Sequence, residues 1–223
     1  KGVVKKTELA EFSNPRRKGI WALGVDEGDE VVAARLVKPE QQVMLFTYNG
    51  MAVRFDENKV RPMGRMARGV KGVTLRDEKD YMTSCEVVNG NETVLVVCEN
   101  GFGKRSQVED FRQTNRGGVG VRSIITSERN GNVVGALCVT DEDGMVMISS
   151  TGQTIRISMH DLRVMGRNTQ GVRLANLRDG DYLVAVQKLE RSADIVENGN
   201  GSGEGENGSP EPVNGTGPDH EAT

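Results

Sequence analysis

The chain has 223 residues, room for one large or two ordinary domains, and 36% of them are hydrophobic, 27% charged and only 4% aromatic. That is too apolar for wholesale disorder, and no run of about 18 apolar residues exists that could cross a bilayer as a helix. The net charge of −3 is uneven: residues 191–223 carry one basic residue against seven acidic ones, whereas residues 1–190 carry 28 basic against 25 acidic.

The chain opens on Lys1 with no basic-then-apolar leader, so secretion is not expected and the sequence reads as a processed piece of something longer. Its first forty residues set a theme that the rest repeats. Gly2 is followed four residues later by Lys6, and then by the cluster Arg16-Arg17-Lys18-Gly19. Gly50, Gly101 and Gly152 each close an apolar run (Val43–Phe46, Val94–Val97, Met145–Ile148) and stand 51 residues apart. Four residues past each lies Arg54, Arg105 or Arg156; fifteen past lies Arg65, Arg116 or Arg167; nineteen past lies the pair Gly69-Val70, Gly120-Val121 or Gly171-Val172. Five columns in register through three copies define a repeat. With the shorter first copy there are about four: residues 1–37, 38–88, 89–139 and 140–190.

Within a repeat the elements are short. The apolar run ends at Asn49-Gly50 or Asn100-Gly101, a hairpin signal, and the return strand alternates, as in Thr154-Ile155-Arg156-Ile157. A polar loop carries the second arginine, another apolar run follows Gly-Val, and an acidic turn (Glu27-Gly28-Asp29, Asp179-Gly180-Asp181) precedes a last strand such as Val31-Val32 or Leu183–Val186. Four strands per repeat of this period predict an all-β, propeller-like fold of four-stranded blades. Trp21 takes the place of Gly-Val in the first copy and is expected to pack in the core or between blades. From Arg191 onward Gly, Glu, Asn, Ser and Pro dominate; residues 191–223 are expected to form a disordered acidic tail, either a competitor within the chain for a basic surface or a solubilising extension.

A packed repeat needs repeated glycines and apolar residues, but not repeated arginines. If blades stand side by side, Lys6, Arg54, Arg105 and Arg156, with Arg16, Arg17, Arg65, Arg116 and Arg167, fall along one edge, joined by Lys5, Lys18, Arg61, Arg68, Lys71, Lys104, Arg122, Arg163 and Arg173. A curved track of guanidinium groups suits the phosphates of duplex nucleic acid. Nothing supplies a recognition helix, so sequence readout is not expected. An acidic protein partner is the competing occupant of such a track.

Other chemistry is poorly provided for. Cys85, Cys98 and Cys138 form no C-x-x-C and only His160 and His220 exist, so zinc is not expected and the cysteines read as buried thiols. Gly101-Phe-Gly-Lys-Arg lacks P-loop spacing, Ser149-Ser150 has no histidine nearer than His160, and Tyr48, Tyr81 and Tyr182 suit strand packing better than nucleophilic attack. No catalytic or metal-ligating residue and no cofactor is assigned to the chain.

The segments Lys1–Phe12, Val43-Met-Leu-Phe with Gly50-Met-Ala-Val-Arg-Phe, Asn100-Gly-Phe-Gly-Lys-Arg and above all Gly166-Arg-Asn-Thr-Gln-Gly-Val resemble the family of C-terminal domains of bacterial DNA gyrase A, over about residues 1–190. The resemblance implies a β-pinwheel, a six-bladed propeller-like disc with strands exchanged between neighbouring blades, of which about four blades are present. It also implies a basic rim that wraps double-stranded DNA in support of ATP-dependent negative supercoiling. The DNA-facing positions would be the Gly+4 and loop cations named above. The catalytic tyrosine and ATPase, with ATP and magnesium, would lie elsewhere in an assembly with the rest of gyrase A and with gyrase B, in a bacterial cytoplasm at the nucleoid. The family's Q-R-R-G-G-K-G box is absent from this sequence; Gln113-Thr-Asn-Arg-Gly-Gly-Val-Gly is a degenerate echo. The related topoisomerase IV carries similar blades, and the regular repeats favour gyrase over it.

Overall fold

The computed structural model describes residues 1–189; the expectations for residues 191–223 lie outside the described residues. Among the described residues there are thirteen strands and three short 3-10 turns, and no α-helix. The first repeat contributes β1 (Val3–Val4). The second contributes β2 (Gln42–Thr47), β3 (Met51–Asp56), β4 (Val70–Lys71) and β5 (Met82–Val88). The third contributes β6 (Thr93–Cys98), β7 (Phe102–Gln107), β8 (Val121–Arg122) and β9 (Val133–Val139), and the fourth β10 (Gly144–Ser149), β11 (Thr154–Ser158), β12 (Val172–Arg173) and β13 (Leu183–Leu189).

Within a repeat the first strand is central. It pairs antiparallel with the return strand across the Gly50 or Gly101 hairpin and with the last strand on its other side, as β2 does with β3 and β5. The short third strand does not join its own blade. It crosses to the preceding one, giving sheets ordered β5-β2-β3-β8 and β9-β6-β7-β12, while β4 pairs with β1. The strands are thus exchanged: the third repeat completes the blade of the second and the fourth completes that of the third, while the last sheet, β11-β10-β13, has three strands among the described residues.

The Gly-Val pair explains how so short a strand docks. Gly120 has φ +80°, and a Cβ there would lie 2.0 Å from the Ala52 carbonyl oxygen; Gly171 has φ +78°, with the Gly103 carbonyl oxygen 2.5 Å from that position. Only glycine can take the turn and lie against the neighbouring strand together. The valine that follows is turned inward and the residue after it outward. Three core clusters form, and the two largest each span two repeats. Met44, Phe46 and Ala52 of the second pack with Val94, Val96, Phe111 and Val133 of the third, and Leu95, Val97 and Leu137 of the third pack with Met145, Met147 and Met159 of the fourth. The last strands β5, β9 and β13 pack side by side, with Ala136 N donating to Ser84 Oγ at 2.9 Å. The exchanged strands therefore occupy the opposite, outer edge of each blade.

Two expectations for the first repeat are corrected. Val31-Val32 forms no strand, because the central strand that pairs with its counterparts β5, β9 and β13 has no equivalent before it among the described residues. Trp21 is 75% exposed rather than packed; the second repeat holds its loop through the backbone, with Arg65 donating to the Trp21 carbonyl, and not through the indole. Cys98 and Cys138 are buried and Cys85 is half-buried, all as free thiols. Burial pushes the Cys85 thiol up to about 11 and Cys98 to about 12, and raises Cys138 as well, so none is a reactive thiolate at neutral pH. No helix among the described residues is long and apolar enough to cross a membrane.

Candidate nucleic-acid interface

The Gly+4 row of cations is a set of clips between repeats. Arg54, at the middle of β3, donates from Nη1 to the Val108 and Phe111 carbonyls of the next repeat at 2.7 and 3.1 Å, and from Nε to Gln42 Oε1 at 2.7 Å. Arg105 makes the same contacts one repeat later, with the Met159 and Leu162 carbonyls at 2.7 and 3.3 Å and Thr93 Oγ1 at 2.9 Å, and adds Asp141 Oδ1 at 2.7 Å. It is only 2% exposed. Lys6 reaches Glu57 of the second repeat through both its carbonyl and its carboxylate. Arg156 alone in this row is exposed, on β11, with which no exchanged strand pairs among the described residues. This corrects the expectation that the row faces outward. An arginine that saturates its donors on carbonyls of the next blade holds blades together.

The Gly+15 row reaches the other way. Arg116 donates from Nε to the Lys59 carbonyl at 2.8 Å and from Nη1 to the Lys71 carbonyl at 2.9 Å. Arg167 does the same to Asp110 and Arg122, at 2.9 and 3.0 Å, and Arg65 donates to the Trp21 carbonyl at 3.0 Å. Lys104 is fully buried, donates to the Gly166 carbonyl at 2.9 Å, and is pushed down to about 8 by that burial and by the nearby Arg167 charge. Lys5, one residue before Lys6, is half-buried against the Ala22 and Arg65 carbonyls, and burial lowers its pKa as well.

The cations left facing solvent are of another kind. Lys71, Arg122 and Arg173 are the outward residues of the exchanged strands β4, β8 and β12, and all three are exposed. Arg61, Arg112 and Arg163 are also exposed. Each immediately precedes the residue (Pro62, Gln113, Val164) that bridges in parallel to the Gly+4 cation of the preceding blade. Both sets therefore sit on the outer blade edge, two cations per repeat. Arg173 also lies over the Phe102 ring, its Cζ 5.0 Å from the centroid, with Arg129 4.6 Å from the same ring. Arg16, Arg17 and Lys18 are exposed in the first repeat, and Arg68 is exposed beside Asp26, 2.9 Å away. Among the described residues no group of three or more His, Cys, Asp or Glu could hold a metal ion.

The model of the DNA gyrase C-terminal domain, beta-propeller, matches residues 1–38, 41–89, 92–140 and 145–190. The chain belongs to this family. It is 61% identical over 205 residues to the DNA gyrase A protein of Chlamydia pneumoniae, covering 92% of this chain and 25% of that protein. The chain thus spans about a quarter of the length of the curated relatives it matches. Among solved structures, a DNA gyrase A C-terminal domain superimposes with a TM-score of 0.75 at 27% identity, covering 84% of this chain and 62% of that one. A DNA topoisomerase IV C-terminal domain superimposes with a TM-score of 0.79, also at 27% identity, covering 85% and 59%.

In this gyrase C-terminal-domain chain the sequence expectations left out Arg112 and placed Arg61, Lys71, Arg122, Arg163 and Arg173 on the same edge as flanking cations, without recognising them as columns of their own. A signal was present. Arg61, Arg112 and Arg163 stand 51 apart, as do Lys71, Arg122 and Arg173, so each set is a column at a fixed distance from the hairpin glycine.

Proposed function

We propose that this chain binds and wraps duplex DNA, without sequence readout, along the outer edge formed by its exchanged strands, as the C-terminal domain of a gyrase A protein. The observation that carries the reading is the pair of exposed cation columns, Arg61–Arg112–Arg163 and Lys71–Arg122–Arg173, repeated once per blade on one edge. Evenly stepped charges on a rigid curved support suit a bent polyanion. Each phosphate neutralised adds about −0.9 to the salt slope, and bending a 20–30 bp site by 40–90° costs about 1–6 kcal/mol, which several contacts can offset and one cannot. Arg16, Arg17, Lys18, Arg68 and Arg156 are further exposed cations available to the same ligand. Lys5, Lys6, Arg54, Arg65, Lys104, Arg105, Arg116 and Arg167 serve it indirectly, by holding the blades.

The 61% identity to a named DNA gyrase favours gyrase over topoisomerase IV. On this reading the chain supports ATP-dependent negative supercoiling by a type II topoisomerase in which the breakage tyrosine and the ATP and magnesium sites belong to the rest of gyrase A and to gyrase B. The test is binding of random-sequence duplex by the intact chain across a salt series. Replacing all six column residues by Gln should flatten the slope by about five units while the circular dichroism stays unchanged. A folded variant with the parent slope would overturn the assignment of the edge.

A further inference from the structure

Arg54 and Arg105 are equivalent residues in successive blades, and three of the four polar contacts of Arg105 recur at Arg54. The fourth differs. Arg105 Nη2 is held by Asp141 Oδ1 at 2.7 Å. The position equivalent to Asp141, 51 residues earlier, is Gly90. The loops around the two positions are otherwise built alike: Asn89 N donates to Glu92 Oε2 at 2.7 Å, and Thr140 N to Asp143 Oδ2 at 2.7 Å. With no side chain at Gly90, Nη2 of Arg54 has no protein partner among the described residues, and Arg54 and Gly90 both line an open cleft of about 570 Å³. Gln42, Asn89 and the flexible cation Lys38 also line the cleft. Arg105 is nearly sealed from solvent whereas Arg54 is not, as expected if one residue is the cover.

We infer that this cleft, at the junction of the second and third repeats, binds an oxyanion, a carboxylate or a phosphate, on the free edge of Arg54. The third blade shows what the position accepts, since there an internal carboxylate fills it. The guanidinium is already fixed by Val108, Phe111 and Gln42, so little ordering entropy is lost when an anion docks. Glu40 and Glu109 stand at the same cleft as exposed carboxylates. They balance the charge of Arg54 and Lys38, so the cleft selects by donor geometry and not by net field. It takes small or slender anions that keep clear of them.

The test follows arginine side-chain NMR signals in the intact chain during titration with inorganic phosphate, acetate and random-sequence duplex in separate arms. Arg54 signals should shift saturably with phosphate or acetate at one equivalent. Gly90→Asp should weaken the response at least about 10-fold, the scale of one charge-assisted hydrogen bond. Because Gly90 has φ +111°, that variant carries backbone strain, so Asp141→Gly is the second arm: it should bring the Arg105 signals into the same response. A shift with duplex at far lower concentration than free phosphate identifies the phosphodiester as the source, and a shift with small anions alone identifies a free ligand. Arg54 signals that move no more than those of the exposed Arg76 and Arg178, which belong to neither cation column, mean an adventitious ion only and overturn the proposal, as does an unmoved Arg105 in folded Asp141→Gly. None of these outcomes depends on the outer edge binding DNA.

Discussion

Arg105 lies in the interior with each of its three guanidinium nitrogens hydrogen-bonded, while Arg156, in the same column, faces water. Removing the first leaves the Met159 and Leu162 carbonyls and the Asp141 carboxylate without their cation. Arg105→Ala should therefore cost about 3–5 kcal/mol in urea unfolding, and Arg156→Ala less than about 0.5. Lys104 gives a pH signature. Its folded pKa, near 8, lies below its unfolded value, so below pH 8 both states hold the proton and the fold bears the full cost of a buried charge. Between about 8 and 10.5 the unfolded chain holds one more proton than the folded one, and stability rises by up to ~1.4 kcal/mol per pH unit. The parent should gain stability relative to Lys104→Met over that window. A difference independent of pH would show that Lys104 is not buried as a cation. At this scale the sequence was only half legible. The 51-residue spacing correctly marked Arg54, Arg105, Arg116 and Arg167 as special, but a contact made identically between each pair of neighbouring blades is as periodic as a contact made to DNA. Spacing alone cannot separate the two.

The exchanged strand is the element on which the fold depends most and which a periodic reading sees least. Val121-Arg122 is two residues long, too short to show alternation, and the apolar run after Gly-Val reads naturally as a strand of its own blade. Its crossing to the preceding blade is dictated by Gly120, whose turn and closeness to Ala52 exclude a side chain. Gly120→Ala should release β8 from β3, seen as faster hydrogen exchange at Ala52 and Ser123, with a stability loss above about 3 kcal/mol. Gly152→Ala makes the contrast: it has φ +84° but nothing within 4 Å of a new Cβ, so it should cost only the conformational strain of about 1–2 kcal/mol. The hairpins at Gly50 and Gly101, by contrast, were fully legible, because each joins an apolar run to an alternating one through Asn-Gly.

For the whole molecule, the all-β repeat and its count follow from column spacing alone, whereas the side of the blade that faces a ligand does not. That choice comes from packing: β5, β9 and β13 meet one another, which leaves the opposite edge to β4, β8 and β12. Wrapping, as distinct from binding, has its own readout. Nicked circular DNA sealed by ligase in the presence of the intact chain should yield topoisomers displaced from those sealed without it. An undisplaced distribution at saturating protein would limit the chain to binding along a straight duplex.

The forward exchange of strands also imposes a direction in time. During synthesis the second repeat can pair β2 with β3 and β5 as soon as it leaves the ribosome, yet its outer flank stays bare until Val121-Arg122 emerges a full hairpin later. Every nascent blade thus waits on its successor, and a stalled or truncated chain always presents one unfinished flank, ready to recruit a strand from a neighbouring polypeptide.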